Sequence, residues 1–182
     1  MIGLKTYLST LSPLLGQSEE MLYERQRALV REGLLESVGG RGPGSGVRAD
    51  EKALAVFLVS LLAHDVLAHA ETVWAFCGMR IPGGKCPVTG QRTFMEALGA
   101  VLGNEPLAEK ITGIMLDRTR PGSARLQFVG KNNKIITSEF KPGAVLGILV
   151  PVSALRASTS FDPNFIRQIA KDIAQFKNED AK

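Results

Sequence analysis

The run Gly16-Gln17-Ser18-Glu19-Glu20 constrains this chain more than any other, because it ends one helix and begins another almost at once. Ahead of it, Leu4, Tyr7, Leu8, Leu11, Leu14 and Leu15 recur at the three- and four-residue spacing of a helix with one buried face. Pro13 blurs the end of that helix, and Gly16 permits a sharp turn. Ser18 is a good N-cap, since its hydroxyl accepts from free backbone amides, and Glu19 and Glu20 complement the positive end of the helix dipole. A second helix is therefore expected over residues 18–32, stopped by Gly33, which takes the left-handed conformation without steric cost.

At about 100° per residue, Leu22, Gln26, Leu29 and Val30 fall on one side of this second helix, while Tyr23, Glu24, Arg27 and Arg31 fall on the other. Arg25 and Gln26 stand nearer the flanks of the polar face and reach a partner only if the helix rolls. After Gly33, residues 34–38 can extend as a strand, and the glycine-rich residues 39–46 form a loop before Val47-Arg48. Residues 37–48 thus read as a basic wing. A glycine-rich run flanked by Arg41 and Arg48 gains little from packing but can follow a phosphate backbone closely.

Downstream, Asp50 is placed to cap a helix carrying Leu54, Phe57, Leu58, Leu61 and Leu62, which continues, with a break, to Cys77. Residues 81–90 form a loop, residues 93–102 a helix, and residues 105–111 a further short helix. Residues 125–130 and 134–140 alternate as two strands joined by a turn at Lys131-Asn132-Asn133, and residues 145–152 offer a third. Asp162-Pro163 reads as N-cap and first residue of a final amphipathic helix with Phe165, Ile166, Ile169, Ile173 and Phe176 on one face. The expected class is α+β and mainly helical: an N-terminal helix-turn-helix module with a wing (1–50), connecting or oligomerisation helices (51–80), and a C-terminal α+β part (91–182) holding a small antiparallel hairpin or sheet.

With 182 residues, 45% of them hydrophobic, the chain can bury a sizeable aliphatic core without a metal or disulfide. The most apolar run, residues 53–63, is too short to cross a bilayer, which needs roughly 20 residues, and no secretory signal is seen. These features favour a cytoplasmic protein with no membrane partner. A net charge of +4 and a pI near 9.2 permit a polyanionic partner. Residues 1–52, however, hold seven basic and seven acidic side chains, so charge alone argues equally for a solvated helix face.

The N-terminal module resembles the winged helix-turn-helix class, including its MerR-like variety, through Leu22-Tyr23-Glu24-Arg25 followed by Arg31-Glu32-Gly33-Leu34-Leu35. The resemblance covers residues 4–50 only. It implies a second helix lying in the major groove of duplex DNA, where Arg and Gln side chains pair with base edges, and a wing on the flanking backbone. By position it makes Tyr23, Arg25, Arg27, Arg31 and Arg41 candidate nucleic-acid contacts, to which the flank of the helix and the wing add Gln26 and Arg48. The very glycine-rich wing departs from the pattern, and no effector site carries over.

Cys77 and Cys86, with His64 and His69 upstream, invite a zinc reading, but the histidines would lie about 140° apart on a helix and no close cysteine pair exists. Free, partly buried thiols are expected instead, with neither metal nor cofactor, and Trp74, Phe76 and Met79 beside them as core. Ser45 in Gly44-Ser45-Gly46 lacks an assigned base and reads as a wing residue. Asp117, Arg118 and Arg120 before Pro121-Gly122, and Lys131 with Lys134, read as charged turns. No Walker loop, nucleophile elbow or His-Glu-x-x-His run is found, so an enzyme is not expected.

The leading expectation is a sequence-specific transcriptional regulator that binds double-stranded DNA as a homo-oligomer, a dimer first, through residues 53–77 or 165–176. A DNA-packaging initiator like the small terminase subunit of tailed phages fits the same order of parts, and would form a ring of eight or more subunits. A protein-interaction or inhibitor protein without nucleic-acid binding is the third reading.

Overall fold

The computed structural model describes residues 2–39, 46–63, 70–118, 122–143 and 158–180. Several helix ends follow from a named cap. Helix α1 (Leu4–Leu15) carries Pro13 in its last turn and stops at Gly16, whose φ of 62° is left-handed. Helix α2 (Glu19–Arg31) starts where the Ser18 hydroxyl accepts from the Met21 amide at 3.2 Å, and Gly33 beyond its end has φ of 72°. Helix α3 (Glu51–Ala63) is capped by Asp50, whose carboxylate accepts from the Ala53 amide at 2.7 Å. Helix α4 spans Ala70–Cys77. Helix α5 (Phe94–Leu102) opens on a reciprocal Thr93/Glu96 capping box, and hydrogen bonds from Thr93 hold the Glu96 carboxyl below its ordinary range.

The expected helix over 105–111 is shorter than its spacing suggested. Helix α6 ends at Ala108 (Glu105–Ala108), and Ile111 instead opens strand β1 (Ile111–Asp117). Strands β2 (Ser123–Val129) and β3 (Ile135–Phe140) form the expected hairpin, turning through Asn132 and Asn133 with φ of 58° and 56°. Strand β4 (Ser158–Phe161) completes an antiparallel sheet of order β3-β2-β1-β4. The proposed strand over 145–152 lies outside the described residues. The final helix α7 runs Pro163–Asp180, its start held by Asp162, which accepts from the Asn164 amide at 2.7 Å.

The class is therefore α+β, as expected, with helices outweighing a four-stranded antiparallel sheet. One face of that sheet buries Ile114, Leu116, Leu126, Phe128 and Phe140, against which α3 and α7 pack. Helix α3 is buried nearly all round, with Leu54, Phe57, Leu58 and Leu62 at 2% exposure or less. Each such side chain contributes about 1.5–3 kcal/mol by leaving water, so α3 is the axis on which the other elements assemble. Trp74 departs from the core reading: it is 55% exposed, while Phe76 and Met79 are buried.

The N-terminal helices join this core directly. The Tyr7 hydroxyl donates to Asp172 Oδ2 at 2.6 Å, and the Tyr7 ring meets Phe176 edge-on at 5.5 Å. Lys177 pairs with Glu51 at 3.1 Å, and the Thr159 hydroxyl donates to the Leu62 carbonyl at 2.6 Å. Among the described residues of the two stretches offered above for dimerisation, α3 buries its apolar side chains as described and α7 buries Ile166, Ile169, Ala170 and Ile173, while Trp74 stays exposed.

Candidate nucleic-acid interface

Helices α1 and α2 pack against each other around the Gly16 turn, burying Leu4, Leu8 and Leu11 of the first and Leu22 and Leu29 of the second. That packing fixes which side of α2 faces out. Arg27 and Arg31 are exposed, and Tyr23 on the same side is half-buried. Glu24 accepts from Arg27 at 2.8 Å and its hydrogen bond and charge raise the Arg27 pKa, while Glu32 lies 3.6 Å from the Arg31 guanidinium. Both pairs are solvent-exposed and so worth little to the fold.

Arg25 and Gln26 are not on this face. They are 4% and 6% exposed, because their positions on the helix lie on the Leu22/Leu29 side rather than the Tyr23 side. Arg25 donates to the Ser60 carbonyl at 2.9 Å, tying α2 to α3. Gln26 Oε1 is buried with no hydrogen-bond partner among the described residues. Neither side chain is presented to a duplex, and the correction comes from packing: a charged residue flanking an apolar stripe is drawn inward when a buried carbonyl can receive it.

The expected strand over 34–38 is reduced to one bridge. The Leu34 and Leu35 amides both turn back to the Leu29 carbonyl, and only Val38 pairs, exchanging hydrogen bonds of 3.0 and 2.9 Å with Gly46. Beyond Gly46, Arg48 pairs antiparallel with Gly3, and the Leu4 amide donates to the Val47 carbonyl at 2.7 Å. The two arms of the glycine-rich segment are thus paired with each other, and the second is stitched to the start of α1. Val47 and Ala49 point inward and Arg48 outward. Arg41 and Ser45 lie outside the described residues.

Lys5 was not singled out by sequence reasoning. Its ammonium lies 4.6 Å from the centroid of the Tyr23 ring, a cation–π contact between the first turn of α1 and the outer face of α2. Nothing in the local sequence signals it, because the two residues meet only through the crossing of the helices.

The cysteines lie elsewhere. Both are free and buried. Burial pushes the Cys77 thiol up to about 12. At Cys86 burial also disfavours the thiolate, but hydrogen bonding to the Ser138 hydroxyl at 3.2 Å and from the Thr89 amide at 3.3 Å outweighs it and draws the thiol below its ordinary value. His64 and His69 are outside the described residues. Comparison of the chain with protein-family models, with curated proteins and with solved structures gave no match.

Proposed function

We propose that this chain binds duplex DNA through α1 and α2 as a sequence-specific regulator of transcription, in the manner of a winged helix-turn-helix protein. Helix α2 enters the major groove, and the paired arms around Val38, Gly46 and Arg48 run beside the phosphate backbone. The observation that carries the reading is the outer face of α2, where Tyr23, Arg27 and Arg31 follow one another on successive turns while Leu22 and Leu29 are buried beneath. The acids Glu24 and Glu32 hold the two arginines only by exposed ion pairs, which a phosphate or a guanine edge can replace at small cost. Binding as a two-fold dimer would set two copies of α2 on half-sites about 34 Å apart, or a multiple of that.

The test is fluorescence anisotropy of the purified protein against random duplex DNA across a series of salt concentrations, with an Arg27→Ala/Arg31→Ala double variant alongside. Wild-type affinity is expected to fall steeply with salt, and the variant to bind at least tenfold more weakly, on the order of 1–3 kcal/mol per lost base contact. Absence of wild-type binding at low salt would refute the proposal and favour a protein partner for the same face.

A further inference from the structure

The cations near this face differ in what already neutralises them. Arg27 is paired with Glu24, Arg31 with Glu32, and Lys52 with Glu36. Lys5 and Arg48, both exposed, have no carboxylate partner among the described residues. The Gly3–Arg48 bridge sets the backbone of Arg48 beside the residue two positions before Lys5. Gly3 carries no side chain to cover that spot.

Apart from its contact with Tyr23, Lys5 makes no ion pair that serves the fold among the described residues. It stands in the first turn of α1, where a cation opposes the helix dipole and no acidic residue compensates it. The Tyr23 ring orients its ammonium without cancelling its charge. A positioned, unneutralised cation on the side of α2 that holds Arg27 and Arg31, with a second exposed cation on the backbone bridged to the start of α1, is what a phosphodiester backbone can use.

We infer that Lys5 and Arg48 together bind the phosphate backbone of the duplex, with Tyr23 as the positioning residue for Lys5. The inference rests on the DNA-binding reading above and adds to it a backbone contact made by the first helix. It separates two tasks: α2 arginines at base edges, and the Lys5–Arg48 pair as the source of sequence-independent attraction.

The experiment is the slope of log affinity against log salt for the full chain on two duplexes of unrelated sequence. Lys5→Gln and Arg48→Gln are each expected to reduce the magnitude of that slope by about 1 and to weaken binding equally on both duplexes. Lys5→Arg restores the slope. Tyr23→Leu, which removes the ring that orients Lys5, reduces the slope as Lys5→Gln does. If the wild type binds but Lys5→Gln and Arg48→Gln leave its slope unchanged, the inference is overturned while DNA binding stands. If the wild type binds neither duplex at low salt, the DNA-binding reading itself has failed. Both glutamine variants alter exposed side chains, and circular dichroism checks that they fold.

Discussion

Replacing Tyr7 with Phe removes one oxygen and keeps the ring that meets Phe176. Tyr7 is 1% exposed and its hydroxyl donates to Asp172 at 2.6 Å, so the lost interaction is a hydrogen bond to a charged group, worth about 1.5–3 kcal/mol. Asp172 is only half-buried and still accepts from Gln168 Nε2 at 2.8 Å, so the stranded carboxylate is rescued in part by that bond and by water. The low end of the range applies, about 1.5 kcal/mol, or a melting temperature roughly 3–6 °C lower for a chain of this size. Urea denaturation followed by far-UV circular dichroism and by Trp74 fluorescence measures it. The midpoint is expected to fall at an unchanged slope, and both probes to move together because the bond joins α1 to α7. An Asp172→Asn variant completes a cycle in which the double variant is barely less stable than the worse single one. A Tyr7→Phe protein within about 0.3 kcal/mol of wild type, or two effects that simply add, would refute the reasoning.

Gly122→Ala is expected to cost about 1–3 kcal/mol by thermal melting, because a methyl there would sit 2.5 Å from the Asp117 carbonyl oxygen and 3.1 Å from the Phe76 ring. Gly113→Ala should cost less, since its nearest obstacle is the movable end of Gln127. Alkaline stability should also decline between about pH 9 and pH 12. Burial raises the Cys77 thiol from 9.0 to about 12 and raises the Tyr7 phenol as well, so in this window the unfolded chain has released protons that the native state retains. Cys77→Ala should flatten part of that decline in urea titrations run from neutral pH upward, and an unchanged slope would count against a buried neutral thiol.

The caps were legible because each is a local transaction. Ser18, Asp50 and Asp162 announce helices by side chains that bond amides two or three residues on, and no distant partner is needed. The β2–β3 hairpin was legible for a similar reason, its alternation and its two asparagines lying within one short window. Strand β1 was not, since Gly113 and a register shift between Ile111 and Gly113 break the alternation that would mark it. Strand β4, Ser158-Thr-Ser-Phe161, carries almost no apolar signal and exists because β1 offers it an edge to pair with.

The candidate interface divides along the same line. The outward placement of Tyr23, Arg27 and Arg31 follows from helical period alone. The burial of Arg25 depends on a carbonyl 35 residues away, and the place of Lys5 depends on how two helices cross, so neither could be read from spacing. Trp74 shows the converse error: an apolar neighbourhood in sequence does not guarantee cover in space.

The contact between Tyr7 and Asp172 spans 165 residues, nearly the whole chain. Proteins leave the ribosome N-terminal end first, so the first helix waits for its cover until residues 163–180 have been made. Until then one side of α1 and the sheet face beneath α7 stay wet, and the nascent chain offers apolar surface to chaperones or to other chains. Folding of the N-terminal part is thereby tied to synthesis of residues 163–180, and a chain stopped short of Pro163 would carry the cost in solubility.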